Sequence, residues 1–402
     1  MWWLVSVLLL APQSTAPNPY REAGAALASG NLAEAQARLE ALTAKDPGNA
    51  RAWMLLAQTY ARRKNQAPAL AAAAKSETLG ARDPEVLRGL AFLFTDLEPD
   101  LKRAAGYLSA VVELAPYDEN AHFQLIQLYL QHEDFAHASE AIANARKVFA
   151  RSPQIELADG VCAYGMRRFP EAVDQFLKTI ALAPDVSQPY MFLGRMLDHA
   201  GERLPEVVER FAQFQARHPD DAAVCLLYAK ALVAGLDPGG FPPAAEQAMR
   251  LLEHARAIDN NRAETHYQIG CLLERKREYA AAAGELEQSV ALEPREPGAH
   301  FHLARVYERL GRTEDALRER EQHQKLAESA AAPGSAETRI GDLLDDVARS
   351  GRVLEAGDLG DRLDTRRQIA PGRPPLLEFR YLEGAARRRF GNLDLVIDDA
   401  GH

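Results

Sequence analysis

Cysteine is scarce in this sequence: its 402 residues hold three, Cys162, Cys225 and Cys271. They are too few and too far apart for a disulfide framework or a zinc site. A basic excess is missing too, because 47 Lys and Arg stand against 57 Asp and Glu, a formal net charge of −10. Such a balance does not suit binding through nucleic-acid phosphates, so no nucleic-acid partner is expected. No apolar run approaches the ~20 residues of a membrane-spanning helix. The candidate at the start, Trp2 to Leu10 (WWLVSVLLL), extends only to Ala11. Gly235, Gly239 and Gly240 have neither the spacing, the flanking strand nor the lysine of a phosphate-cradling loop. What is present is ordinary for a folded chain, 47% hydrophobic and 26% charged. That composition excludes disorder over most of the length.

Catalytic and metal-binding patterns fail one by one. His132-Glu133-Asp134-Phe135-Ala136-His137 resembles a zinc-protease helix at first sight. Its histidines are five apart, whereas two ligands on one helical face need a spacing of four. His300 and His302 lie two apart on one helix and so point to different faces. Each cysteine sits among apolar neighbours such as Ala163, Leu226 and Leu272, the setting of a small packed hydrophobe rather than a nucleophile. The carboxylate pairs Asp345-Asp346 and Asp398-Asp399 read as solvated charge. No catalytic residue, metal ligand or cofactor is assigned, and the chain is not expected to be an enzyme.

At roughly 100–200 residues per domain the length would suggest two to four globular units, unless the chain is built from repeats. It reads well at a period of about 34 residues. One first helix carries Trp53, Leu56, Ala57 and Tyr60, with Ala69 in the helix that follows. Another carries Tyr190, Leu193 and Gly194, then Gly201, Phe211, Phe214 and Pro219. Ile269, Gly270, Ala282, Leu286 and Pro294 fill the same slots, as do Leu303, Ala304, Tyr307, Gly311 and Ala316. Gly160, Ala172, Phe176 and Pro184 fit; so do Leu125, Tyr129, Ala138 and Ala145, and so do Gly30, Ala35 and Pro47. Over residues 18–328 the chain resembles the tetratricopeptide-repeat family, in nine consecutive repeats like those of multi-repeat bacterial members. The resemblance implies an all-α, right-handed superhelical solenoid of antiparallel helix pairs. Small residues such as Gly194, Gly270, Ala138 and Ala282 would let paired helices approach, while Pro47, Pro116, Pro184, Pro219 and Pro294 would end each second helix. A lone pair cannot bury its apolar face, so stability would come from stacking.

Two segments depart from the period. The seventh repeat carries about seven extra residues, Gly235 to Pro243, whose Gly and Pro content suits a rigid surface loop. After Leu326 the chain turns small and polar. The expected organisation is a leader over 1–16, a solenoid over 17–328, a linker over 329–336 and a divergent repeat-like or capping region over 337–402. In that last region Ile340, Leu343, Leu344, Val347, Gly351 and Ala356 reproduce the slots of a degenerate tenth repeat, and eleven Arg stand without a Lys. The rival reading is the start of a following module. The leader matches the apolar core of a secretory signal with Ser14-Thr15-Ala16 as its cleavage site. No Lys or Arg precedes it, and Pro17 would follow the cut, so an apolar leader or a mis-set start is the other reading. Export to the periplasm or envelope is favoured over the cytoplasm, with membrane association only if the leader is retained.

What remains is a surface. In the family, first helices line the concave face, and ligands meet slots two, five, nine and twelve. Carried over slot by slot, position five holds Phe123, Leu157, Met191, Leu226, Tyr267 and Phe301. Position nine holds Gln58, Phe92, Gln127, Arg195, Lys230 and Arg305. An apolar stripe beside polar and basic heads suits recognition, and Phe123, Gln127, Met191, Arg195, Lys230, Tyr267, Phe301 and Arg305 form the candidate groove. The plainer reading is that the slot-five residues only close the rim between helices. The three cations would favour an acidic ligand, unless Arg195 pairs with Asp198 and Arg305 with Glu308 within their helices. Lys230 has Val233 three residues on and no such partner. The family's carboxylate clamp of paired Lys and Asn is not reproduced. The implied function is a non-enzymatic scaffold for a protein or peptide ligand. The alternatives are an accessory substrate-positioning subunit of an enzyme or secretion machine, and self-association through an uncapped end.

Overall fold

The computed structural model describes residues 19–96, 100–237 and 240–331. The expected leader and the 337–402 region lie outside the described residues. Two compact units divide the chain, Met1–Ala121 and His122–His402. The described residues form eighteen α-helices with short turns between them. In the first unit these are α1 (Pro19–Ala28), α2 (Leu32–Lys45), α3 (Ala50–Arg62), α4 (Gln66–Gly80), α5 (Pro84–Asp96) and α6 (Leu101–Leu114). The second unit contains most of α7 (Glu119–Gln131), then α8 (Phe135–Val148), α9 (Pro153–Gly165), α10 (Phe169–Leu182), α11 (Gln188–Arg195) and α12 (Leu204–Arg217). It continues with α13 (Ala222–Ala234), α14 (Pro243–Ile258), α15 (Ala263–Arg275), α16 (Tyr279–Leu292), α17 (Pro297–Arg309) and α18 (Thr313–Ala331). They alternate as first and second helices of nine pairs, and α18 runs past Glu328 to Ala331.

Local chemistry sets the helix starts. Side chains of Asn49, Asp100, Asp134, Ser152, Asp221 and Glu296 each accept a hydrogen bond from a backbone N–H of the first turn. Such caps satisfy donors that a helix start leaves open. Most first helices are followed by a residue in the left-handed region: Gly30, Lys64, Glu133, Arg167, Gly201, Arg277 and Gly311 all have positive φ. Four of these are not glycine, and for them the conformation costs about 1–2 kcal/mol. Arg277→Gly is therefore expected to raise stability by about 0.5–1 kcal/mol, after the extra unfolded-state freedom of glycine is subtracted. Gly311→Ala is expected to lower it by a similar amount, and urea melts of the two variants check both signs.

A second repeated device sits at slot four of the first helices. Trp53 donates to the Pro47 carbonyl at 3.0 Å, Tyr190 to Pro184 O at 3.0 Å and the Cys225 thiol to Pro219 O at 3.4 Å. The His266 ring meets Asn260 O at 2.9 Å, and the His300 ring meets Pro294 O at 3.1 Å. The prolines thus do more than stop a helix: their carbonyls receive a side chain from the next one. His266 and His300 turn their other ring nitrogen to Glu285 and Glu319, at 2.7 and 2.6 Å, and so tie each first helix to its partner.

Packing follows the small slots. Ala35, Ala69 and Ala104 are fully buried in the first unit, as are Ala138, Ala172 and Ala282 in the second. At Gly270 an added β-carbon would lie 2.6 Å from Leu286 and 3.5 Å from the Ala282 carbonyl, so α15 and α16 meet there almost backbone to backbone. At Gly160 the close neighbour is a side chain instead: an added β-carbon would lie 2.6 Å from the Phe176 ring of α10. The sixth repeat differs from the expectation. Its first helix stops at Arg195 and continues as two 3-10 turns, Leu197–His199 and Gly201–Arg203. Gly194 therefore lies against Leu227 of α13 in the next repeat rather than against its own second helix. The lengthened seventh repeat is held at both edges of its loop by Arg275 of α15, which donates to the Asp237 carbonyl and, at 2.7 Å, to Gly240 O.

Candidate functional site

The candidate residues all lie on first helices of the second unit, and the structure separates them into three groups. Phe123 is 5% exposed and joins the core cluster with Ile126, Leu130 and Ala138. Leu157 and Leu226, also at slot five, are buried as well. These three close the rim between helices, as the plainer reading of slot five anticipates. Gln127, Met191 and Tyr267 are half-buried. Phe301, at 43% exposure, and Arg305, whose side chain is 51% exposed, stand out from α17.

Two of the ninth-slot cations, Lys230 and Arg305, pair across repeats. Lys230 Nζ lies 3.0 Å from Glu264 Oε1, on the first helix of the next repeat. Arg305 Nη2 lies 3.1 Å from Glu274 on α15, not against Glu308, which pairs with Arg320 of α18. Arg195 is exposed and acts electrostatically on Glu264. Val233 leaves Lys230 without a carboxylate three residues on, but a partner lies 34 residues on in sequence, one repeat away in space. Glu274 is only 10% exposed, and it receives His302 Nδ1 at 2.6 Å as well as Arg305.

Aromatic rings fill the gaps between these pairs. Tyr267 meets His302 edge to face at 5.7 Å, and its hydroxyl rests over Gly298, where a β-carbon would lie 3.1 Å away. Burial, with Cys271 beside it, raises the Tyr267 hydroxyl above its ordinary range. Burial also pushes the Cys271 thiol up to about 12, so it stays protonated and inert as a nucleophile. Phe301 contacts His302 and His323, each at 5.4 Å, and the Arg305 guanidinium lies 5.5 Å over its ring. Glu264, Cys271, Glu274 and His302 complete the face and were not among the sequence candidates. The signal for three of them was available, since they occupy slots two, nine and twelve of the eighth repeat. His302, at slot six, had none.

Elsewhere the histidines serve local structure. His137 Nδ1 lies 2.8 Å from Asp134, and the ring stacks on Tyr129 at 5.3 Å. His132 bonds its own helix at Leu128 O. His300 and His302 turn to different helices, as their spacing implies. Among the described residues no group of three or more His, Cys, Asp or Glu is placed to hold a metal ion. Nor, among them, is any helix long and apolar enough to cross a membrane.

Glu264 gives the site a pH signature. Burial alone would raise its carboxyl, but Lys230, Gln268 and Arg195 outweigh burial and hold it below its ordinary value. A carboxyl depressed in the folded state adds stability above its unfolded pKa and loses it as pH falls through the folded one. Wild type is thus expected to lose stability between about pH 5 and the depressed folded value, and Glu264→Gln to flatten that part of the profile. Urea midpoints measured across that acid range check it.

A family model for the tetratricopeptide repeat matches residues 20–84, 123–187 and 267–335. No curated protein matches the sequence. Solved structures similar in fold include MamA, at 17% identity, where the match covers 46% of this chain and 96% of the other, with a TM-score of 0.34. A thermophilic repeat protein of Thermus thermophilus, TTC0263, is 23% identical over 52% of this chain and 99% of its own, with a TM-score of 0.38. Yeast Tom70 is 13% identical over 88% of this chain and 93% of its own, with a TM-score of 0.39.

Proposed function

The chain is a tetratricopeptide-repeat protein, and from that premise we propose that it is a non-enzymatic scaffold binding a protein or peptide on the first-helix face of its second unit. One observation carries the reading. Met191, Arg195, Lys230, Tyr267, Phe301 and Arg305 come from successive first helices and keep exposed or half-exposed surface beside the carboxylates Glu264 and Glu274. Aromatic and guanidinium groups among paired charges have the makeup of a recognition surface rather than of a reaction centre. Tetratricopeptide repeats generally mediate protein–protein contacts, which agrees with this reading.

The test is comparative capture from the native cell. Wild type and the Leu317→Ala variant, altered on the second helix α18, are expected to retain the same partner. Tyr267→Ala combined with Arg195→Ala is expected to lose it. Retention by the face variant with loss by Leu317→Ala would place binding elsewhere. The run Trp2 to Leu10 is the sole support for a further part of the reading, that the scaffold works in the periplasm or at the envelope. The mass of the mature N-terminus decides whether the chain is cut after Ala16.

A further inference from the structure

The two ion pairs on the first-helix face of the second unit are oppositely oriented. In the pair Lys230–Glu264 the lysine side chain is 25% exposed and the glutamate 44%, so the negative end turns outward. In the pair Arg305–Glu274 the glutamate is 10% exposed and the arginine 51%, so the positive end turns outward. Glu308, three residues on from Arg305, is already engaged with Arg320. His302 takes the second oxygen of Glu274 and leaves that anion covered from two sides. Beside the outward guanidinium stands the exposed Phe301 ring, flanked by His302 and His323.

We propose that this face binds a bipolar peptide: a cationic side chain on Glu264 and, further along, an acidic side chain on Arg305 next to an apolar side chain on Phe301. The inference rests on the reading that the first-helix face binds peptide, and it adds the charge order of the ligand. Each outward charge is partly offset by its own partner, so a peptide of one sign would meet one attractive and one repulsive end. A peptide carrying both signs in the right order satisfies both, and the mismatch penalises other partners. No terminal carboxylate is needed, because Arg305 stands beside an exposed ring rather than within a paired cationic clamp. A cation on Glu264 would compete with Lys230, with the Gln268 amide at 3.1 Å and with the charge of Arg195, all of which act on this half-exposed carboxylate, so part of the gain is the exchange of one set of partners for another.

The test uses the full chain and synthetic fluorescent peptides blocked at both ends. The probe has one lysine, a short Gly/Ser spacer and a Leu-Glu-Leu segment; controls replace Glu by Gln, Glu by Lys, or Lys by Glu. Anisotropy titrations are expected to favour the bipolar probe, and Arg305→Glu and Phe301→Ala should each weaken it by about tenfold. The Arg305→Glu variant should in turn prefer the probe with Lys in place of Glu, a charge-reversed rescue that misfolding could not produce. Both altered residues are surface-exposed, and far-UV circular dichroism confirms that the variants keep their helices. If the Gln control binds as tightly as the bipolar probe, the charge order is wrong while peptide binding on the face stands. If no probe of any charge binds, the bipolar proposal falls; only the capture comparison then decides the scaffold reading.

Discussion

Tyr190→Ala is expected to destabilise the second unit by about 3–5 kcal/mol, the usual cost of emptying a large aromatic site in a core. Tyr190 is fully buried. Its ring stacks on Phe214 at 4.0 Å and meets Phe211 edge to face at 5.6 Å, so its loss opens the space between α11 and α12. The hydroxyl also donates to the Pro184 carbonyl, which Arg217 holds from the other side at 2.7 Å. Tyr190→Phe keeps the ring and loses the two bonds of the hydroxyl, the one it donates to Pro184 O and a longer one it accepts from Arg217 at 3.4 Å, while Arg217 remains to satisfy the carbonyl. Its cost should be about 0.5–1.5 kcal/mol. Urea denaturation of the two variants separates ring packing from hydrogen bonding. Equal losses would mean that the bond to the turn, not the stack, holds this repeat.

Gly270→Leu is expected to be the other severe change. The β-carbon alone would press on Leu286 and approach the Ala282 backbone, and backbone cannot rotate away as a side chain can. Overpacking costs about 1–3 kcal/mol in general, and a backbone neighbour places this site at the upper end. Gly194→Leu should be milder, because its neighbour is the terminal branch of Leu227 and the helix beside it is already broken into 3-10 turns. The ranking Gly270 above Gly194, read from melting midpoints, depends on the observed shift of the sixth repeat. The reverse ranking would contradict that geometry.

The helix-pair architecture was legible in the sequence because its carriers are periodic. Ala138, Ala172 and Ala282, the prolines of the turns and the aromatic slots recur at nearly constant spacing, and each does one repeated job. Interactions between repeats were much less legible. Helix arithmetic looks three or four residues ahead and so finds Glu308 for Arg305 and no carboxylate for Lys230, while their partners Glu274 and Glu264 lie one repeat away, and Glu264 also feels Arg195 from two repeats off. The shortened α11 gave no warning either, since Gly194 matches the small slot whether or not the helix continues beyond it. Left-handed ends at Lys64, Glu133, Arg167 and Arg277 were hidden because their side chains do not advertise positive φ as glycine does. At slot five the sequence could not separate Phe123, which is core, from Phe301, which is exposed; both are phenylalanines at the same repeat position.

That distinction also organises the functional reading. Core residues at slot five keep the repeats in register, while Met191, Tyr267 and Phe301 retain surface that a ligand could cover. The proposed binding face accordingly draws on α11, α13, α15 and α17. Hydrogen–deuterium exchange on the full chain, with and without its captured partner, tests this most directly. Slowed exchange is expected in peptides from α11, α13, α15 and α17, with α12, α14, α16 and α18 little changed. Slowing confined to the second helices, or none within residues 188–309, would contradict binding on the first-helix face.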